Sequence, residues 1–461
     1  MYQFILYFGQ IIKKSKFLIN HFSLHISLTG AILFMVISGC TTRTLFDEKY
    51  VSDKIEQRSG FSLPDESSDT LQLPAGVTAE DGLTEEEAVS IALWNNPRLQ
   101  VVLADLGFAR ADLVEAGMFP NPVFSLLFPA GPKQLEFTLS YAIDVLWQRP
   151  KRVAASKLNA EKVAEDLVQY GLALIRDVYI SFADLHKAKE QVNVLKEEAD
   201  LDSVIADIAS TRLEAGDISG LEETAFRLAA SRTREALLYA GRDMENARIR
   251  FITLLGLIPE QADIQILTTP VELIYTPDRE QMIKTALAFR PDMRAAELEI
   301  EIAGNKLGWE RSKIFNLTAL LDANAQGKEG FEMGPGADFE IPLFYFNQGG
   351  TTRARAEMKR AANNYIDVQQ SIRSEVLKSY QDYLAENRAY EMLKNEIIPS
   401  AEQAVQNGEM AWMTGEISYL EFMEFKRQLL NARLRFIDAE AGVRKNIANV
   451  YYNIGGKLMA D

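Results

Sequence analysis

Apolar residues along this chain follow two rhythms, and each rhythm occurs twice. From about Val153 to Ala215, positions Val178, Phe182, Leu185, Ala188, Val192, Leu195 and Ala199 step by three or four, the spacing of a helix that packs along one stripe. At 1.5 Å per residue the pattern predicts a helix of roughly 90 Å, where a globular helix averages about a dozen residues. A second such pattern runs from about Thr351 to Met413, and Val376, Tyr380, Tyr383 and Leu393 repeat the earlier positions at an offset of 198.

Each long pattern ends in the same phrase. Gly216-Asp217-Ile218-Ser219 leads into Leu221-Glu222, and Gly415-Glu416-Ile417-Ser418 leads into Leu420-Glu421. Glycine reaches the left-handed backbone that closes a helix, and a serine three positions later can cap the next one. Both phrases therefore predict the tip of an antiparallel helical hairpin, with return helices from Leu221 to about Leu255 and from Leu420 to about Ile454.

The other rhythm has period two. Leu135, Phe137, Leu139, Tyr141 and Ile143 alternate with Glu136, Thr138, Ser140 and Ala142, and Val123 to Phe128 supplies a partner across the Pro129–Pro132 turn. Farther on, Leu317, Ala319, Leu321, Ala323 and Ala325 alternate with Thr318, Leu320, Asp322, Asn324 and Gln326. A Gly-rich turn is expected over 327–336, followed by a strand in which Phe339, Ile341 and Leu343 alternate with Asp338, Glu340 and Pro342. The expectation is two strands at about 122–143 and two at about 317–344, with one apolar and one polar face. A soluble sandwich alternates in the same way, so the pattern alone leaves barrel and sandwich open.

Shorter helices precede each strand pair. Thr84 and Glu87 form a capping-box pattern, and Asn95-Asn96-Pro97 breaks the helix before a second one from Arg98 to Gly117. Phe289-Arg290-Pro291 answers that break at an offset of 194. The expected organisation is a tandem duplication, with repeat one over 84–270 and repeat two over 271–461.

Composition narrows the function. The chain has 461 residues and a formal charge of −16, so the basic face that nucleic acid demands is lacking. One cysteine, Cys40, and three histidines, His21, His25 and His186, leave no disulfide framework and no metal-ligand set within one chain. No histidine pair, phosphate loop or nucleophile elbow is present, so neither an enzyme nor a cofactor is expected. At the N-terminus, a basic stretch at 13–16, an apolar run from Leu24 to Ile37 and small residues before Cys40 have the layout of a secretory signal over 1–39. A retained transmembrane helix ending near Gly39 is the alternative. Residues 40–83 read as an extended tether.

Ile37-Ser38-Gly39-Cys40 resembles the lipobox of bacterial lipoproteins, which implies lipidation of Cys40; Thr41 in place of Asp favours outer-membrane sorting in that resemblance. The Asn-Pro break, the paired strands and the Gly-x-Ile-Ser-x-Leu-Glu tips together resemble the TolC-type outer-membrane efflux proteins over residues 80–458. Arg212-Leu213-x-x-Gly216-x-x-Ser219 fits the family's tip phrase, while the second tip carries Ala411-Trp412 in place of the Arg-aromatic pair. The family implies a mainly α fold with a membrane β part. Three copies would build an α-helical barrel continued by a 12-stranded β-barrel, four strands from each chain. It further implies a homotrimer spanning the outer membrane, lipid-anchored and reaching into the periplasm. Its partners are a periplasmic adaptor and an inner-membrane pump such as an RND transporter. Gly216, Asp217, Ser219, Gly415, Glu416 and Ser418 are then adaptor-contact candidates. Glu136, Thr138, Ser140, Asp322, Asn324 and Glu340 are lumen candidates, and Glu402 and Glu409 are gate candidates. A coiled-coil periplasmic lipoprotein without a pore is the competing reading. Drug, metal-cation and polypeptide ducts share the pattern, so cargo is not legible.

Overall fold

A computed structural model describes residues 46–64, 82–128, 135–260, 262, 264–271, 278–327 and 330–457. Cys40, the signal at 1–39 and part of the tether lie outside these residues. The chain divides into two compact units. The first holds Phe108–Ala160 and Glu301–Met358, and the second holds Phe46–Gly107, Glu161–Ile300 and the chain from Lys359 onward.

The first unit is built on a four-stranded antiparallel sheet in the order β1 (Val123–Leu127), β2 (Glu136–Ala142), β3 (Leu317–Gly327) and β4 (Gly330–Phe339). Strand register places Ser125, Thr138, Asp322 and Gly334 side by side on one face, while Leu126, Phe137, Ala323 and Met333 line the other. Phe124, Leu126, Leu139, Leu321 and Met333 on that apolar face are exposed. β1 and β4 are unpaired edges. β4 occupies most of the expected Gly-rich turn, and Glu340 falls just beyond its end. Gly334 and Gly336 carry no side chain to show the period, but their backbone pairs as well as any other.

Helices dominate the second unit: α1 (Glu48–Ser59), α2 (Glu85–Asn95), α3 (Pro97–Gly117), α4 (Val145–Glu214), α5 (Gly220–Leu254), α6 (Arg279–Phe289), α7 (Pro291–Ser312), α8 (Gln348–Met392), α9 (Ile398–Met413) and α10 (Tyr419–Ile454). Of these, α3, α4, α7 and α8 cross the unit boundary. α4 begins eight residues earlier than expected, at Val145 rather than Val153, and takes in Pro150 near its start, where few intrahelical bonds are lost. The second long pattern is not one α-helix. A π-turn at Leu393–Ile397 separates α8 from α9 and ends two residues before Pro399. Proline has no N–H to offer and crowds the carbonyl four residues back, and a widened turn accommodates both.

The tether expectation fails over 46–64. α1 is capped by Asp47, ends on left-handed Gly60, and buries Val51 and Ile55. Ile55 lies against Gly171, where any Cβ would approach within 2.5 Å. Tyr50 Oη donates to Glu165 at 2.9 Å, Arg58 donates to the Phe289 carbonyl, and Lys457 N–H donates to the Arg58 carbonyl at 2.9 Å.

The two proline breaks are held alike. Asn96 Nδ2 donates to the Leu254 carbonyl at 2.8 Å, and Arg290 reaches the Asn453 carbonyl at 3.4 Å. Gly256 and Gly455, left-handed at the ends of α5 and α10, pack on the Asn95 and Phe289–Arg290 backbones. Packing here is dense with aromatic and β-branched residues. Phe182 meets Phe251 edge-on at 5.9 Å, and Ile372, Val376, Tyr383, Val443 and Val450 form a core with Met282 and Met293. No helix among the described residues is long and apolar enough to cross a membrane.

Candidate functional site

Each hairpin tip is a stop joined to a start. At the first, Gly216 has φ +79; its N–H donates to the Leu213 carbonyl at 3.0 Å and the Asp217 N–H to Arg212 at 2.9 Å. At the second, Gly415 has φ +77; its N–H donates to Trp412 at 3.0 Å and the Glu416 N–H to Ala411 at 2.8 Å. This double bond pattern closes a helix on a left-handed residue, which is why glycine stands there. The next helix opens on a capping box in both cases. Ser219 Oγ accepts from the Glu222 N–H at 3.2 Å while the Glu222 carboxylate takes the Ser219 N–H at 2.7 Å; Ser418 and Glu421 do the same at 3.3 and 2.8 Å. Those serine donors, backbone first, hold both carboxyls below the ordinary carboxylate range.

Gly216, Asp217, Ser219, Gly415, Glu416 and Ser418 are all exposed. A Cβ built on either glycine meets nothing within 4 Å. Beside them Leu221 and Leu420 are exposed at 81% and 62%, although each directly follows a helix start. The arrangement is a capped turn with an exposed leucine flanked by acids, presented twice.

The second tip carries an aromatic cluster that the first lacks. Trp412 stacks on Phe422 at 5.6 Å, Tyr419 meets Trp412 at 5.4 Å, and Phe226 of α5 lies 3.8 Å from Tyr419. Burial pushes the Tyr419 hydroxyl well above its usual range, with help from Asp202 and Glu198. Trp412 thus fills the place of the Arg-aromatic pair with stacking contacts.

Sequence reasoning missed the polar ladder between the hairpins. Along α4 and α10, Asp184 pairs with Lys445 at 2.9 Å and Lys187 with Asp438 at 2.9 Å. Nearer the tips, Lys426 sits 3.2 Å from Glu198 and 3.7 Å from Asp202. Thr233 Oγ1 of α5 donates to Asp202 at 2.8 Å. The signal was a lysine on the apolar stripe of α10, four residues after Phe422.

On the sheet, Thr138 Oγ1 donates to Asp322 at 2.7 Å, and Glu136 pairs with Asn324 in the strand register. Ser140 faces Leu320 and reaches the Val123 carbonyl at 3.4 Å. Glu340 accepts from Asn316 at 2.9 Å. Glu402 faces Arg433 at 3.4 Å, and Glu409 is exposed two turns farther along α9. Among the described residues no group of three His, Cys, Asp or Glu is placed to hold a metal ion.

Residues 282–456 match the family described as outer membrane efflux protein. Over 387 residues, 82% of this chain and 91% of the relative, the sequence is 25% identical to the "Cobalt-zinc-cadmium resistance protein CzcC" of Cupriavidus metallidurans. It is 23% identical over 394 residues, 79% of this chain and 84% of the relative, to the "Probable outer membrane lipoprotein SilC" of Salmonella typhimurium. The fold matches that of the outer-membrane channel OprN with a TM-score of 0.70 at 18% identity, over 86% of this chain and 98% of that one.

Proposed function

We propose that this chain, which carries an outer membrane efflux protein domain and resembles the TolC-type family along most of its length, is an outer-membrane exit duct of a tripartite efflux system. The observation that carries the reading is the sheet. It has a continuous apolar face open to its surroundings, a polar face opposite, and two unpaired edges. In water such a sheet would aggregate. Closed by threefold association it becomes a twelve-stranded barrel, apolar toward lipid and polar toward a lumen. The twin proline joints and twin capped tips support a tandem duplication, with two hairpins per chain continuing the barrel as a helical tube. The exposed tips suit end-on docking of a periplasmic adaptor, which joins the duct to an inner-membrane pump. Cys40, lipidated, would add an anchor to the same membrane.

The name of the Cupriavidus relative points to divalent metal cations as cargo, and acids on the polar sheet face are compatible with cation passage. A scaffold without a pore leaves the open apolar sheet face unexplained. Planar-bilayer recording of the detergent-purified protein tests the duct: stepwise conductance is expected, and a lipid-free, non-conducting soluble monomer contradicts it.

A further inference from the structure

Around the root of the sheet, where β2 ends and β3 begins, the surface changes character. Trp147 lies five residues past β2, Phe315 just before β3 and the segment Ile341–Phe346 just past β4; the aromatic residues among them are exposed, Phe344 at 92% and Tyr345 at 70%. This aromatic segment is pinned. Asn347, buried and left-handed at φ 54, donates to the Glu310 carbonyl at 2.7 Å and to its carboxylate at 2.8 Å, and Tyr345 Oη reaches Asn347 at 3.3 Å. Trp147 Nε1 donates to the Ser312 carbonyl at 3.3 Å. The segment is thus fixed at Asn347, and Phe344 and Tyr345 stay exposed beside it.

The same region is basic in an acidic protein. Residues 144–152, 306–316 and 338–358 hold eight Lys or Arg against five acids, in a chain of formal charge −16. Part of this charge has a local use. Arg149 and Arg152 donate to the Gly117, Ala116 and Met118 carbonyls at the end of α3, Lys151 to Gly308, and Lys313 pairs with Glu310. Arg311, Arg353 and Arg355 are exposed and make no hydrogen bond or ion pair among the described residues; Arg353 exerts only a through-space pull on the Glu310 carboxylate. Neither α4 nor α8 has an acid in its first turn, the residue type a helix start favours.

We propose that this sheet root is a docking surface for the phosphate layer of an anionic phospholipid leaflet. It rests on the reading that the sheet's apolar face lies in a membrane, and extends that face from hydrocarbon to headgroups. Trp147, Phe344 and Tyr345 suit the boundary, where an aromatic body sits in apolar surroundings and its polar edge in wet ones. Guanidinium groups of Arg311, Arg353 and Arg355 suit the phosphates just outside, which they bind through paired N–H donors. Attraction of this kind is screened by salt.

The test uses the full chain reconstituted in nanodiscs of phosphatidylcholine, with or without about one third phosphatidylglycerol. Thermal unfolding is followed at low and high salt. Wild type is expected to gain several degrees in the anionic discs, a gain that salt erodes. The Arg311→Gln/Arg353→Gln/Arg355→Gln variant is expected to insert normally and lose more than half of that gain. An equal gain in variant and wild type overturns the proposal. So does an equal gain from inorganic phosphate in neutral discs, which marks a free-anion site. A variant that falls to monomers in neutral discs also overturns it, because the arginines then face a neighbouring copy. Failure of wild type to enter neutral discs contradicts the membrane reading itself.

Discussion

Thr138 Oγ1 donates a 2.7 Å hydrogen bond to Asp322 Oδ1, tying together neighbouring strands whose sequences lie 184 residues apart. This pair stands mid-sheet on the polar face, with Glu136 and Asn324 beside it in the register. Threefold closure would bring three such pairs around one lumen. Replacing Asp322 with Asn keeps an acceptor for Thr138 and removes the charge. Reversal-potential recordings under a salt gradient should show cation preference falling in D322N, and falling further with E136Q, while conductance persists. Unchanged selectivity in the double variant would take these residues out of the permeation path.

The tip glycines and Gly256 share a left-handed backbone but differ in surroundings. A Cβ at Gly216 or Gly415 meets nothing, whereas one at Gly256 would lie 2.1 Å from the Asn95 carbonyl oxygen. Gly216→Ala and Gly415→Ala should therefore cost only backbone strain, about 1–2 kcal/mol, confined to the tip. Gly256→Ala must also move a backbone and should cost more than either. Hydrogen exchange resolves the two cases: loss of protection limited to the tip turns for the first pair, and spreading through α2, α3 and α5 for the third. In pull-down assays, the tip variants should also retain less adaptor.

Much of this architecture was readable because amphipathic periods report directly on buried faces. Residues 135–143 alternate and 136–142 of them form β2, and the twin Gly–Ser phrases form twin tips. What escaped had a weak side-chain signal. Gly334 and Gly336 belong to a strand without showing a period, and β4 was expected too late in the chain as a result. α1 hides in a polar stretch because its only buried apolar side chains are Val51 and Ile55, one turn apart. The Lys426 bracket was illegible because its partners come from α4, more than 200 residues earlier in the sequence. The tip turns fall at the two Gly–Ser phrases, and Glu136, Thr138, Ser140, Asp322 and Asn324 share one face in the register, whereas Glu340 lies past the end of β4.

Lys426 is held between two acids, with its side chain 10% exposed and that of Asp202 only 5% exposed. Replacing Lys426 with Met fills the space and leaves Asp202 and Glu198 facing each other without a counter-charge. An uncompensated buried charge of this kind costs about 3–5 kcal/mol. Urea unfolding should show a clear loss for K426M and partial recovery when D202N is added. A simple sum of the two single effects would contradict the bracket as a coupled unit.

Burial lowers the His186 pKa below its ordinary value, against the opposing pull of Glu440 3.9 Å away. The unfolded chain therefore takes up this proton first as pH falls. The stabilising contribution is complete above about pH 6.5, declines as pH drops toward the folded value, and then levels off. Thermal unfolding at about pH 8 and about pH 5 should show a larger loss for wild type than for His186→Gln. An identical loss in both proteins would assign the acid sensitivity to other groups.

The central claim is that β1 of one copy pairs with β4 of the next. Within one chain these edges are separated by two strands, roughly 14 Å at 4.8 Å per step, beyond disulfide reach. Ser125→Cys combined in turn with Gly334→Cys, Gly336→Cys or Asp338→Cys places thiols on the polar face of both edges; Cys40 is replaced by Ser behind a conventional secretory signal. Non-reducing electrophoresis after mild oxidation in the membrane is the measurement. The account predicts, for at least one pair, a ladder of two and three linked chains that stops at three. Monomer alone across the panel, or a ladder continuing past three, would contradict it.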